Sequence, residues 1–288
     1  MLPQIEYFRP RSLDEALMLL AGCQNSKILA GGTDLLVELR KHNPDEFFTI
    51  IDITAIDSLR FIRDAGDKVL LGPLVTHKEL SESELIRREF PFLSLSASTV
   101  GSPQIRARGT IGGNICNASP AADTVPVLVA LDAIVTLESA TGKRECLVEE
   151  FITKPYRTLI SPGEILTKIY IGKLPPGAKS SFIKLGRRNA LAISRMNVAS
   201  VLLVEDGLIK FARLACGSVF PVTQRVNVVE EFLLGKEPSV ELFRKAGELV
   251  AEEMVKVTGV RWSTPYKKPV IAALVRRALC ECAGLEVK

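Results

Sequence analysis

Two glycine pairs carry the most informative chemistry in this chain. The first lies in Ala30-Gly31-Gly32-Thr33-Asp34-Leu35-Leu36, between the strand-like run Lys27 to Ala30 and the helix-like run Leu35 to Lys41. The second lies in Gly109-Thr110-Ile111-Gly112-Gly113-Asn114, and Ser119-Pro120-Ala121-Ala122-Asp123 follows it. A glycine pair lets the backbone turn through angles closed to other residues, and lets a ligand approach the bare chain. Where a helix opens just after it, the first amides are unpaired and favour an anion such as phosphate. Two such elements fit one ligand gripped from two sides, and a dinucleotide pyrophosphate has that shape. Gly113 is expected both to allow close approach and to need an unusual dihedral.

Each motif alone is also an ordinary turn between a strand and a helix. Neither follows Gly-x-Gly-x-x-Gly, so the usual nicotinamide dinucleotide fingerprint is absent. No Gly-x-x-x-x-Gly-Lys-Ser/Thr occurs, which removes the ATP-type phosphate loop. The residues therefore point to a phosphate-bearing cofactor without choosing it.

The elements that must position these loops can be read from pattern. Ser12-x-x-Glu15 is a capping box that opens a helix ending at Gly22. A strand, the first glycine turn, a helix to Asn43-Pro44 and a strand from Phe47 to Ile53 make a βαβ block ending near residue 55. A second block holds a strand at Val69 to Leu71, helices Lys78 to Glu89 and Phe92 to Val100, and the second glycine motif. A helix from Thr124 to Leu131 follows, with Asp123 as a candidate cap. Ile134 to Leu137 and Glu145 to Val148 read as a hairpin. Beyond Leu174-Pro175-Pro176-Gly177 the texture changes. Asp206-Gly207 joins two strands in the strongest hairpin signal of the chain, and two helices follow, Val240 to Lys256 and Lys268 to Cys282. The fold class expected is α+β. Residues 1–173 form a two-part cofactor domain, a βαβ lobe of about 1–55 and a larger mixed lobe of about 56–173. Residues 174–288 form an antiparallel sheet with helices on one face.

Composition narrows the function class. At 288 residues the chain can bury a full core, and 47% hydrophobic with 24% charged residues is ordinary for a globular protein. No apolar run approaches the ~18–20 residues of a spanning helix. The N-terminus does not read as a signal peptide, so cytoplasm is the expected location. The net charge of +4 is scattered, without a basic stripe or aromatic platforms, which argues against nucleic acid. The six cysteines, Cys23, Cys116, Cys146, Cys216, Cys280 and Cys282, contain no Cys-x-x-Cys. With only His42 and His77 beside them, neither a zinc site nor an iron–sulfur centre is expected within the chain.

Further stretches select a family. They are Tyr7-Phe8-Arg9-Pro10 with Ser12-Leu13-Asp14-Glu15-Ala16, Leu71-Gly72-Pro73-Leu74-Val75-Thr76-His77, Gln104-Ile105-Arg106 and Phe182-Ile183-Lys184-Leu185-Gly186-Arg187-Arg188. Taken with the glycine motifs, Leu214 to Gly217 and Arg276-Arg277-Ala278-Leu279, they make the sequence resemble the FAD-binding subunit of molybdenum hydroxylases along nearly its whole length. That family includes xanthine dehydrogenase, carbon monoxide dehydrogenase and 4-hydroxybenzoyl-CoA reductase. Thr33-Asp34 is of the type found in xanthine dehydrogenase-like and hydroxybenzoyl-CoA reductase-like members, not the His-Ser type of carbon monoxide dehydrogenases. No cysteine-rich insertion of the hydroxybenzoyl-CoA reductase type is present.

The resemblance implies noncovalent FAD and an oxidoreductase role. Electrons from iron–sulfur clusters of a partner would pass through FAD to an external acceptor. It implies a large molybdenum-cofactor subunit and a small iron–sulfur subunit as partners, as a dimer of heterotrimers, with molybdenum and iron–sulfur centres only in those partners. It assigns Ile28, Leu29, Ala30, Gly31, Gly32, Thr33, Asp34 and Leu35, with Thr110, Ile111, Gly112, Gly113 and Asn114, to the pyrophosphate and its surroundings. Asp123 would accept from a ribose or ribityl hydroxyl, or cap its helix, or both. Asp34 would contact the flavin side or complement a helix dipole. Lys184 would stabilise reduced flavin, or be an exposed strand lysine. Val100 and Leu166 would pack on the cofactor or simply be core, and the core reading is the stronger for Val100. Arg106 and Arg108 would neutralise phosphate, meet a partner or sit on the surface. His77 reads as a core or loop histidine, not a covalent anchor. Two other functional classes remain open on the residues alone: a noncatalytic FAD-binding or assembly module, and a self-contained flavin oxidoreductase. No acid or base set suited to the latter is apparent.

Overall fold

The computed structural model describes residues 3–188 and 191–286. Met1 and Leu2 of the N-terminal reading lie outside it. Three sheets carry the chain. The first is parallel, with β1 (Gln4–Phe8), β2 (Ser26–Leu29) and β3 (Phe47–Asp52) in the order β1-β3-β2. Helix α1 (Leu13–Gly22) crosses between β1 and β2. Ser12 caps it by accepting from the Glu15 amide, and Glu15 accepts from the Arg11 amide. Helix α2 (Leu35–Leu39) follows the first glycine turn. Asp52, at the end of β3, accepts from the Tyr7 hydroxyl and the Thr54 amide and so ties β1 to β3.

The second sheet is antiparallel. Its strands are β4 (Ile62–Asp64), β5 (Lys68–Leu71), β6 (Ile134–Ser139) and β7 (Gly142–Leu147). A small pair, β8 (Ile152–Lys154) and β9 (Arg157–Thr158), precedes the long central strand β10 (Ile165–Gly172), and the sheet order is β4-β5-β10-β6-β7. Helices α3 (His77–Glu82), α4 (Glu84–Glu89), α5 (Pro91–Ser98), α6 (Pro103–Arg108), α7 (Ile111–Asn117), α8 (Thr124–Ala130) and α9 (Val148–Phe151) lie between β5 and β8 in the chain. The expected single helix from Lys78 to Glu89 is broken at Ser83, which is extended and whose hydroxyl accepts from the Ile86 amide to start α4.

The third sheet is antiparallel, β11 (Lys179–Leu185), β12 (Met196–Glu205), β13 (Leu208–Gly217) and β14 (Gln224–Arg225) in sequence order. Asp206 and Gly207 both have positive φ, as the tight hairpin turn requires. Helices α10 (Asn227–Leu233), α11 (Val240–Thr258) and α12 (Thr264–Ala283) cover one face. The opposite face packs on α5 and α8. On β12 the division alternates strictly. Met196, Val198 and Leu202 join the core under the helices, while Ala199 and Val201 join the core of the second sheet.

Candidate functional site

The two glycine motifs meet backbone to backbone. A Cβ on Gly31 would stand 2.1 Å from the Arg108 carbonyl oxygen and 3.0 Å from the Gly109 Cα. Thr33 lies on the same seam, its hydroxyl 3.5 Å from where a Gly109 Cβ would be. Gly32 holds the left-handed turn, with φ of +73°. The amides of Gly31, Gly32 and Thr33 have no hydrogen-bond partner among the described residues, so they are free to face an anion.

The second motif is built differently. The Ile111 amide donates to the Val75 carbonyl, the Gly112 amide to Pro73, and the Gly113 amide to the Thr110 hydroxyl. The expected amide donors of this motif are therefore already paired, because Thr110 caps α7 and the Pro73–Val75 turn supplies acceptors. Ile111 is core, and Gly112 is needed for contact with Pro73, whose Cβ would lie 2.4 Å from an added Cβ. Gly113 is exposed, and only the Thr110 hydroxyl lies near an added Cβ. Its φ is an ordinary helical one, so the expected unusual dihedral belongs to Gly32 and not to Gly113. Close approach remains open to Gly113. The dipole contribution expected of both helices is small, since α2 and α7 have five and seven residues.

Asp123 occupies the cap position of α8 but makes no cap hydrogen bond. Its carboxylate turns to Lys184 instead, Nζ to Oδ2 at 2.6 Å, with the Ser194 hydroxyl donating to Oδ1 at 2.6 Å. Lys184 also donates to the Thr99 carbonyl at 2.8 Å. Neither partner is exposed: the side chains are 12% and 7% accessible. Burial pushes the Asp123 carboxyl up from the usual range, and the donors from Lys184, Ser194 and Asn197 oppose it. Lys184 is thus not the exposed strand lysine that was the alternative, and Asp123 is not a side-chain cap. Asn114 joins this corner, accepting from the Thr124 hydroxyl at 2.8 Å. Asp34 stands at the start of α2 without a cap bond.

Of the two apolar candidates, Val100 is half-buried and its carbonyl accepts from Arg106. Leu166 is core, on β10. Leu166 faces the second sheet's interior, while Val100, for which the core reading is the stronger from sequence, sits on the loop between α5 and α6 and outside the core clusters. Arg106 is tied to the Val100 and Gly101 carbonyls, which gives it a structural task. His77 is buried against the Gly109 seam, and burial, with the Arg106 charge adding, pushes its pKa down to about 4. Sequence reasoning missed Ser194, Asn197 and Thr99, whose partners are far away in the chain. No local signal identifies them.

The glycine seam is a cradle with free amides, an exposed bare helical turn and a neighbouring buried ion pair, which fits a nucleotide cofactor. Among the described residues, no group of His, Cys, Asp and Glu gathers to hold a metal, and no helix is long and apolar enough to cross a membrane.

Comparison with known proteins agrees with this geometry. Residues 3–174 match the FAD binding domain in molybdopterin dehydrogenase, and residues 181–282 match the CO dehydrogenase flavoprotein C-terminal domain. The chain is 32% identical to the nicotine 6-hydroxylase medium subunit of Paenarthrobacter nicotinovorans, over 98% of this chain and 99% of the relative. It is 31% identical to the glyceraldehyde dehydrogenase medium chain of Sulfolobus acidocaldarius, over 98% and 99% of the two chains. Among solved structures, a chain of carbon monoxide dehydrogenase from Hydrogenophaga pseudoflava superposes with a TM-score of 0.89 at 28% identity, covering 99% of each chain. The α+β architecture, the glycine cradle and these matches together make the chain a member of the FAD-binding, medium-subunit family of the molybdenum hydroxylases.

Proposed function

We propose that this chain holds FAD noncovalently and serves as the electron-transfer subunit of a molybdenum hydroxylase. The observation that carries the reading is the seam where Gly31 lies on Arg108 and Gly109, with three free amides beside it. The pyrophosphate lies on the amides of Gly31 to Thr33 and against the bare face of Gly113. Ile28 to Ala30, Asp34 and Leu35 frame the first loop. Thr110 to Gly112 hold the second in shape. Asn114 and Asp123 meet a ribose or ribityl hydroxyl. Val100 flanks the ligand, and Leu166 acts from the core behind it. Lys184 and Asp123 set a fixed ion pair there, and its ammonium end is the one that favours the reduced flavin anion.

Bound FAD supplies the redox chemistry, and the protein supplies position and electrostatics. The names of the relatives, medium subunit and medium chain, support a place in a larger assembly. The partners of this reading are a large molybdenum-cofactor subunit and a small iron–sulfur subunit, assembled as a dimer of heterotrimers in the cytoplasm. Electrons reach this chain from the small subunit and leave to an external acceptor.

Acid precipitation of the purified protein tests the cofactor. A yellow supernatant containing FAD at about one per chain is expected. Flavin in the pellet, or FMN in the supernatant, would contradict the reading. The isolated chain is expected to show flavin absorbance without iron, molybdenum or hydroxylase activity. Adding the cognate subunits is expected to restore reduction of the flavin by substrate.

A further inference from the structure

The antiparallel register sets Lys184 of β11 opposite Asn197 of β12, and Asn197 opposite Gly217 of β13. Residues in one cross-strand row share a face of the sheet. This row lies on the face of β12 that carries Ala199 and Val201 into the second sheet's core. Asn197 is 0% exposed there, and an amide buried among apolar residues is costly unless each polar atom is paired. Its atoms are all paired. Nδ2 donates to the Ala122 carbonyl at 3.1 Å, and lies 3.3 Å from both Asp123 Oδ1 and the Ser194 hydroxyl. Oδ1 accepts from the Gly217 amide at 3.0 Å. A Cβ on Gly217 would stand 2.2 Å from that Oδ1 and 2.8 Å from the Pro126 Cγ.

Asp123 opens α8, yet all its side-chain donors come from residues 184 to 197. Lys184 takes one carboxylate oxygen, and Ser194 with Asn197 takes the other. A carboxylate held by charge-assisted bonds on both oxygens has little rotational freedom. We propose that Ser194 and Asn197 are positioning residues of the cofactor site: they fix the Asp123 carboxylate, which in turn fixes the Lys184 ammonium, and Gly217 is glycine so that Asn197 can do this. The inference rests on the FAD reading above and adds that the third sheet assembles that corner of the site.

The test measures FAD dissociation from the full-length protein, in whatever complex it is purified. Asn197 is wholly buried and its variants risk unfolding the sheet, so Ser194 carries the test. Ser194→Ala removes one charge-assisted hydrogen bond and is expected to weaken FAD retention about ten-fold. Ser194→Thr, which keeps the hydroxyl, is expected to restore most of it. In an Asp123→Asn background, Ser194→Ala is expected to add almost nothing, because it acts through that carboxylate. The visible circular dichroism of the bound flavin is expected to change in Ser194→Ala and return in Ser194→Thr. An undiminished Ser194→Ala loss in the Asp123→Asn background, or no recovery with threonine, overturns the positioning role. Full FAD affinity in Asp123→Asn overturns the underlying site reading instead. That failure is recognisable because the single Ser194→Ala change is then silent as well.

Discussion

Gly31 rests directly on the carbonyl of Arg108, with no room between them for a methyl group. Two loops distant in sequence thus form one surface, and that surface depends on a residue without a side chain. Gly31→Ala must push the loops apart, since the obstructing atoms are backbone. We expect a stability loss of about 1–3 kcal/mol in denaturant unfolding, as for overpacking of a tight contact. FAD content should fall with it. A variant with an unchanged midpoint and a full complement of FAD would show that the loops separate freely.

Gly113→Val should behave differently. Gly113 is helical and exposed, so the fold has little reason to object beyond the β-branched side chain's crowding of the Thr110 cap. The expected outcome is a soluble protein, with thermal midpoint within a few degrees of the parent, that no longer retains FAD. Stoichiometric FAD in the soluble variant would remove Gly113 from the ligand surface.

His77 makes stability depend on pH. Its folded pKa, about 4, lies below the ordinary 6.5, so the unfolded chain binds the extra proton first as pH falls. Stability is therefore complete above about pH 6.5 and declines from there to about pH 4. The size is about 3 kcal/mol over that window. Thermal midpoints of the parent and of His77→Gln, measured from pH 7.5 to 4.5, check this. The slope should be shallower in the variant, and parallel curves would rule out His77 as the source.

Arg225 joins three acids around the third sheet. It bonds Glu230, lies 2.8 Å from Asp132, and offers its amide to Glu149. Glu230 is buried and also accepts from the Leu214 amide. Arg225→Met leaves that carboxylate only the more distant Arg213, at 3.8 Å, and a loss of about 2–3 kcal/mol is expected from urea titration. Adding Glu230→Gln should recover part of it. No recovery would mean that packing, not charge, sets the cost.

Much of this architecture was legible where local chemistry is strong. Asp206-Gly207 marks its hairpin, and Ser12 marks its helix. Several strands were not, β1 and β10 among them. β1 is short and has four exposed residues of five, so its Gln4-Ile5-Glu6-Tyr7 alternation marks no buried face. β10 is interrupted by a register shift between Leu166 and Lys168, and the polar Lys168 and Tyr170 disguise a central strand. In the site, the glycine turns were legible because glycine is itself the signal. The occupied amides of Ile111 and Gly112 were not, because their acceptors lie on a separate turn at Val75 and Pro73, whereas the acceptor of the Gly113 amide, the Thr110 hydroxyl, lies within the motif. The shell of Asp123 was not legible either: its donors are set by sheet register, which no short motif records.

Asp123 and Lys184 are separated by 61 residues, and synthesis delivers the acid first. A nascent chain that has folded only its first two sheets carries the carboxylate without its ammonium and leaves α5 and α8 uncovered on the side that β11 to β13 will occupy. Domains tend to fold in order from the N-terminus during translation. The cradle of glycines can therefore take shape early, whereas its charge balance is completed late. Under the proposed reading of the site, cofactor loading then reports that the third sheet has docked, and the order of synthesis doubles as a checkpoint on the finished protein.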